Sequence, residues 1–106
     1  MNKPRIRLPD NARLGDIIEV KTLIGHVMET GLRRDADGKI VPRNIVHAFI
    51  ATFNGRVVFE ADLLPGISAN PYIAFHMRVT TPGEFEFTWI DDTGNKIVEK
   101  TPLLLV

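Results

Sequence analysis

Residues 45–62 decide the fold of this chain, and they read IVHAFIATFNGRVVFEAD. The first nine are apolar on both faces of an extended strand: one face carries Ile45, His47, Phe49, Ala51 and Phe53, and the other carries Val46, Ala48 and Ile50. Asn54-Gly55 comes next, and both residues tolerate the positive φ that a two-residue type I′ turn requires. Because alternation resumes at Val57, the segment predicts a β-hairpin whose first strand has apolar side chains on both faces.

Shorter stretches of the same kind flank this hairpin on both sides. Alternating apolar side chains predict strands at 16–26, 72–79, 85–89 and 96–104, and prolines at either end limit 4–9 to a short edge strand. Glycine, proline and asparagine punctuate the intervals, with a turn-rich stretch at 63–71. About seven short strands at roughly ten-residue spacing predict an all-β fold, an immunoglobulin-like antiparallel β-sandwich. A chain of 106 residues has the size of one domain, 1–106.

The side chains that point inward on these strands predict one hydrophobic core. Its expected members are Phe49, Phe53, Phe75, Phe85, Phe87 and Trp89, with Ile18 and Val20 on the opposing sheet. Hydrophobic residues make up 44% of the sequence, which is close to the globular average. A chain of this length can therefore bury enough apolar surface to form a core without disulfides or a structural metal.

Residues 27–44 interrupt the alternation for longer than a compact domain usually allows. The stretch 33–39 is charged and contains Asp37-Gly38, which favours a turn. Long ordered connections carry function more often than they serve as linkers. Near the start of this loop, Met28 has two equally good interpretations: it plugs the end of the core, or it contacts a binding partner.

The charge balance bears on possible partners. Thirteen basic residues match thirteen acidic ones, so the formal net charge is zero. A nucleic-acid-binding protein needs a surplus of Lys and Arg to displace counterions from phosphates, so the composition argues against that class. Little charge repulsion separates two copies, and the chain is free to associate. No apolar run approaches the length of a membrane span.

The absence of cysteine from the sequence excludes several kinds of site. A disulfide framework, a thiolate metal site and a cysteine nucleophile all require that residue. Residues 1–7 carry positive charge without an apolar stretch behind them, so we expect no signal peptide.

The three histidines, His26, His47 and His76, leave one alternative function open. Their separation fits none of the common zinc-site spacings, although three strands could bring them together. The alternative hypothesis is therefore a histidine-dependent, metal-binding redox or hydrolytic protein on a β-sandwich. The preferred expectation is that the chain binds no metal and no cofactor.

The other polar residues have structural interpretations. Asp91-Asp92 lies in a predicted turn, where aspartates commonly cap their own backbone. Glu84 and Glu86 alternate with phenylalanines, so they belong to the solvent face of a strand. Ser68 is the only serine, and no nucleophile motif surrounds it. We therefore predict no catalytic residue and expect that the chain is not an enzyme.

A set of short motifs runs along the chain. In the long loop these are His26, Met28-Glu29-Thr30-Gly31, Arg33, Asp35, Gly38 and Pro42; beyond it they are Asn54-Gly55, Asn70-Pro71-Tyr72 and Trp89 with Asp91 and Gly94. Together they resemble the SoxZ family of bacterial sulfur oxidation. Each motif alone is weak, but their order in a chain of this length is fairly specific. The resemblance runs from about Arg5 into the last strand, and Val27 stands where the family usually has proline.

The resemblance implies an immunoglobulin-like sandwich that forms a heterodimer with a SoxY-like carrier protein. That partner bears a cysteine on a flexible, glycine-rich C-terminal arm, to which the sulfur intermediates of thiosulfate oxidation are attached. The heterodimer presents this arm transiently to other Sox components, cytochromes and a hydrolase, in the periplasm. In the family this subunit is exported with its partner's signal, which agrees with the expected absence of a signal peptide. The attachment of sulfur to the partner agrees with the absence of cysteine from this sequence.

The apolar second face of the 45–53 strand suggests where such a partner binds, since a sandwich strand needs only one apolar face for its own core. The expected partner-binding residues are Met28, Glu29 and Arg33 in the loop and Val46, Ala48, Ile50 and Val58 on the hairpin. The alternative is that the N-terminal strand or the long loop covers this face. A free-standing immunoglobulin-like adhesion module is a third possibility, although such domains usually carry a leader or occur in arrays.

Overall fold

The computed structural model of the chain describes residues 3–64 and 70–106, which form seven β-strands. The strands are β1 (Arg5–Arg7), β2 (Ile17–Leu23), β3 (Val46–Phe53), β4 (Arg56–Asp62), β5 (Tyr72–Arg78), β6 (Gly83–Asp91) and β7 (Lys96–Leu103). Each coincides with a predicted strand, give or take a few residues. Part of the predicted turn-rich stretch, with Ser68, lies outside the described residues.

The strands build two antiparallel sheets. One sheet has three strands in the order β1-β2-β5, and the other has four in the order β4-β3-β6-β7. The predicted all-β, immunoglobulin-like sandwich is confirmed. Within the described residues, no helix is long and apolar enough to cross a membrane.

The core lies between the two sheets, where the sequence pattern placed it. All eight predicted core residues are buried, and Trp89, Phe49, Phe85 and Phe87 are the largest of the fully buried side chains. The rings of Phe49 and Trp89 lie 5.2 Å apart between centroids. Phe59 of β4 stacks on Phe75 of β5 at 4.9 Å, which joins the two sheets at one edge. Such ring pairs each add about 0.5–1.5 kcal/mol to the effect of burial.

The turn between β3 and β4 has the predicted geometry. Asn54 and Gly55 have φ values of 52° and 81°, as a type I′ turn requires. The Asn54 side chain also bonds to the β6 end of the sheet: its Oδ1 accepts from the Glu84 N–H at 2.9 Å, and its Nδ2 donates to the Pro82 carbonyl at 3.2 Å. The turn therefore helps to fix the start of β6.

Two β-bulges change which side chains point outward. The register between β3 and β6 shifts between Val46 and Ala48, and Val46 is 0% exposed. Because a one-residue shift reverses the facing of a strand, the expected place of Val46 on the outer face is wrong.

The second bulge lies in β4. Val57 pairs with Thr52 and Phe59 pairs with Ala51, which leaves Val58 without a partner on β3. Val58 packs against the core, and Glu60 is the residue opposite Ile50. The expected place of Val58 beside the outer face of β3 is therefore wrong as well.

Candidate functional site

Residues 27–44 form an excursion that we call the long hairpin. Glu29 and Asn44 exchange two backbone hydrogen bonds of 2.8 Å, and further out the Val41 N–H donates to the Arg33 carbonyl at 2.8 Å. The radius of gyration is 16.2 Å, whereas a compact domain of this length has about 13 Å. The loop expected from the sequence is thus an ordered, hydrogen-bonded projection.

The first anchor of the long hairpin is a buried histidine and carboxylate. The Met28 N–H donates to Nδ1 of His26 at 2.9 Å, so Nδ1 is an acceptor and the ring proton lies on Nε2. Nε2 is 3.3 Å from Oδ2 of Asp91. Both side chains are almost completely buried. With both ring nitrogens occupied, His26 acts as a structural link between the hairpin and the end of β6.

The Asp91 carboxylate accepts several hydrogen bonds within the turn that follows β6. Its Oδ1 accepts from the Thr93 N–H, the Thr93 hydroxyl and the Asn95 N–H, at 3.0, 2.7 and 3.0 Å. Burial by itself raises the pKa of the Asp91 carboxyl, but these hydrogen bonds and the one from His26 outweigh it and hold the pKa below the ordinary value. The carboxylate is therefore structural, as the turn pattern predicted.

The second anchor is Met28. It has a φ of 51°, in the left-handed region that side chains rarely adopt, and it is 7% exposed. Its Sδ accepts a hydrogen bond from the Val46 N–H at 3.2 Å. Of the two interpretations of Met28, the plug at the end of the core is the observed one. The expected exposure of Met28 at a partner-binding surface is wrong.

The third anchor joins the last residues of the hairpin to the β6–β7 turn. Arg43 donates twice to the Asp92 carboxylate, at 2.7 and 3.0 Å, and the Ile45 N–H donates to Oδ2 of Asp92 at 3.1 Å. The hydrogen bond from Arg43 is the main reason that the pKa of Asp92 lies below its usual value. Both ends of the long hairpin are therefore tied to adjacent aspartates.

Glu29 and Arg33, two of the expected partner-binding residues, lie on the surface of the long hairpin. Nη2 of Arg33 donates to Oε1 of Glu29 at 2.7 Å, and this bond lowers the pKa of Glu29 and raises that of Arg33. Leu32, beside them, is 85% exposed, and Ile40 on the return segment is 55% exposed. The hairpin therefore carries exposed apolar side chains on an anchored base.

A second candidate surface is the outer side of the four-stranded sheet, which we call the four-stranded face. Its central side chains are apolar or threonine: Ala48, Ile50 and Thr52 on β3, Thr88 and Ile90 on β6, and Val98 on β7. Ala48 lies opposite Ile90, and Ile50 lies opposite Thr88. These four are only partly buried, and Val98 is 49% exposed. Ala48 and Ile50 thus lie on the outer face where the sequence placed them.

The N-terminal strand does not cover this face. β1 pairs with β2 in the other sheet, so the alternative that residues near the N-terminus fold over β3 is wrong. Sequence reasoning missed Ile90 and Val98, because their place on the same face as Ile50 depends on the register of β3, β6 and β7. The signal that could have found Ile90 is its place one residue after Trp89, on the opposite face of the same strand.

The three histidines lie in separate places. His26 bonds to Asp91, and His76 is 3.8 Å from Glu19 on the outer side of the three-stranded sheet. His47 occupies the β3 bulge. Across residues 3–64 and 70–106, no group of three metal-binding side chains comes together. The metal-binding alternative finds no support in this arrangement.

Comparison with known proteins agrees with the geometry. Solved structures of similar fold include a superoxide reductase (neelaredoxin) from Ignicoccus hospitalis, at 12% identity and a TM-score of 0.73, covering 99% of this chain and 81% of that one. Two single-substitution variants of the same protein match with 12% and 13% identity and TM-scores of 0.72, each covering 97% of this chain and 79% of the other. At such identity the likeness concerns the fold alone.

Among curated proteins, none matches this chain. The family model described as sulphur oxidation protein SoxZ matches residues 6–102, which is nearly the whole chain. The chain belongs to the SoxZ family of sulphur oxidation proteins.

Proposed function

We propose that this chain is the non-catalytic scaffold subunit of a sulfur-carrier complex, and that its partner is a SoxY-like protein. In this complex the partner's cysteine holds the sulfur intermediates of thiosulfate and sulfur oxidation. The proposal follows from the SoxZ family and from the 106 residues themselves, which contain no cysteine. Because a thiolate is the group that forms bonds to sulfur intermediates, the carrying residue belongs to a second protein.

The observation that carries the proposal is the four-stranded face. Its apolar side chains are contiguous, and water-exposed apolar patches on soluble domains commonly mark interaction sites. We assign Ala48 and Ile50 to the centre of the interface with the partner. Ile90 and Val98 extend this centre across the next two strands.

The long hairpin forms the rim of this interface. Its base adjoins the end of the sheet at which Ala48 and Ile90 lie, and beside it Arg33 is exposed and Glu29 is partly exposed. The three anchors hold the hairpin in one position before binding, which lowers the entropy lost on association. Leu32 supplies the exposed apolar side chain nearest to this pair.

We place the complex in the periplasm, where other Sox components would meet the carrier transiently. In this role the chain performs no chemistry of its own. The buried polar side chains of His26 and Asp91 bond to one another and to neighbouring groups, which gives them a structural role. The contribution of the chain is to hold the partner in a fixed position.

Co-expression with a SoxY-like protein tests the proposal. If the partner alone carries an affinity tag, both chains should purify together in equal amounts and stay together on a sizing column at micromolar concentration. Clean separation of the two chains under those conditions would contradict the proposal. Elemental analysis of the untagged chain tests the metal-binding alternative at the same time, since stoichiometric metal would favour it.

A further inference from the structure

The four-stranded face has an ordered arrangement of charge. Read from β4 to β7, its three rows are Val57, Thr52, Glu86 and Lys100; Glu60, Ile50, Thr88 and Val98; and Asp62, Ala48, Ile90 and Lys96. The two carboxylates at the β4 edge, Glu60 and Asp62, are exposed, and so are the two lysines at the β7 edge. Negative charge therefore lies along one edge and positive charge along the other, and the residues between them are apolar or threonine except for Glu86 in the row at one end of the face.

We propose that two copies of this chain pair through the four-stranded face, about a two-fold axis that runs parallel to the strands. Such an axis places β4 of one copy over β7 of the second copy. It also keeps each row at the same height along the strands. Asp62 then lies opposite Lys96 of the second copy, and the same contact is repeated on the other side of the axis.

The central side chains fit the same arrangement. The axis places β3 of one copy over β6 of the other, so Ala48 faces Ile90 and Ile50 faces Thr88. A small side chain then lies opposite a large one in each pair, which lets two sheets interdigitate at their usual separation of about 10 Å. The surface is thus complementary to itself in size at these central pairs and in charge at the Asp62–Lys96 contact.

The other possible axis, perpendicular to the strands within the plane of the interface, gives the opposite result. It places β4 over β4 and β7 over β7, so Glu60 lies opposite Glu60 of the second copy. The lysines of the two copies also come together. Like charges placed opposite each other disfavour association. The charge order therefore selects one of the two arrangements.

The size of the surface sets the strength of the pairing. The face is four strands wide, with about 4.8 Å between strands, and about five residues long, at about 3.4 Å per residue. Its area is therefore roughly 300 Å² per copy, whereas a standard stable interface buries roughly 800 Å² per partner. We therefore expect a weak, reversible dimer that needs a high micromolar concentration. A SoxY-like partner bound to the same face would displace the second copy; that consequence rests on the proposed function, whereas the pairing does not.

Sedimentation velocity of the isolated full chain, from about 10 µM to about 1 mM at low salt, tests the pairing. We expect a reversible equilibrium between monomer and dimer. Asp62→Lys and Lys96→Glu, each alone, should weaken the dimer about tenfold, because each places like charges together at two symmetric contacts. The double variant should recover wild-type pairing, since the two-fold axis again joins a lysine to a carboxylate.

Two further variants complete the test. Ile50→Asp should abolish the dimer, and Glu19→Lys, a charge reversal on the outer side of the three-stranded sheet, should leave it unchanged. Circular dichroism of each variant verifies the fold. The pairing is overturned if the chain stays monomeric at every concentration. It is also overturned if the double variant loses as much dimer affinity as the two single variants lose together. Neither result affects co-purification with a SoxY-like partner, which tests the proposed function separately.

Discussion

The two outer faces of the sandwich differ in how their apolar side chains are distributed. On the three-stranded sheet, Ile17 lies at one end and Leu23 and Tyr72 at the other, with the Glu19–Lys21 pair between them. On the four-stranded sheet, Ala48 and Ile50 adjoin the apolar side chains of β6 and β7 without a charged residue between them.

The two faces differ in whether charged side chains divide their apolar area. Charged side chains divide the apolar area of the three-stranded sheet into small pieces, and scattered apolar residues on a surface are normal. On the four-stranded sheet the charged residues surround the apolar centre, with Glu86 of β6 at one end of it, which resembles the apolar centre and polar rim of a protein interface. We call the three-stranded side the wet side and assign the proposed partner to the four-stranded face.

The largest expected effect tests the core that both sheets share. Phe87→Ala should lower the free energy of unfolding by about 3–5 kcal/mol, because the fully buried ring leaves a cavity. A domain of this size has only about 5–15 kcal/mol in total. Thermal unfolding measures the loss. A melting temperature within a few degrees of wild type would show that the inner and outer faces of β6 have been exchanged.

The next effect concerns the end of the four-stranded sheet. Asp91→Asn should cost about 1–3 kcal/mol at pH 7, because buried donors lose a charged acceptor. The folded pKa of Asp91 lies below the unfolded value, so the stabilising effect is complete above pH about 4 and is lost as the pH falls through the folded pKa. In urea unfolding, the gap between the two proteins should narrow below pH 4. The exposed Asp10→Asn should show no such gap at pH 7.

A matched pair of substitutions compares the two faces directly. Ile50→Asp and Ala74→Asp each add a carboxylate to an outer face and should cost about 1 kcal/mol or less in stability. Only Ile50→Asp should abolish co-purification with a SoxY-like partner, since a charge in the centre of an interface is buried without a counterion. Equal losses of binding in both variants would remove the distinction between the faces.

The smallest effect belongs to the wet side. Nζ of Lys21 is 3.3 Å from Oε1 of Glu19, and both side chains are substantially exposed. Lys21→Ala should change the free energy of unfolding by less than about 0.5 kcal/mol, and added salt should remove even that difference. Urea unfolding at low and high salt measures it. A larger, salt-resistant loss would mean that this pair contributes to a packed surface.

The strands and core were predictable from sequence because their signals are local. Alternation over a few residues places Phe85, Phe87 and Trp89 on one face, and the Asn54-Gly55 turn follows from the φ preferences of two residues. The strand assignments therefore needed no knowledge of which strands pair.

The bulges and the anchors depend on long-range pairing, and the sequence does not reveal it. Val46 is buried because β3 shifts its register against β6, about 45 residues further along the chain. Likewise, the contacts of Met28 and His26 follow from the way in which the hairpin folds back onto Val46 and Asp91. The predicted placement on the outer face was correct at Ala48 and Ile50, where regular alternation continues.

The strand order also determines how the chain can reach its native state. The β3–β4 and β6–β7 hairpins join neighbouring segments, whereas the β2–β5 ladder pairs Ile17 with Arg78, about 60 residues away. Because closing a long loop costs entropy before its contacts form, we expect the hairpins to form first and the three-stranded sheet last, within milliseconds to seconds. Until that step the aromatic side of the four-stranded sheet is open to water, so this is the interval in which the nascent chain is most prone to aggregate.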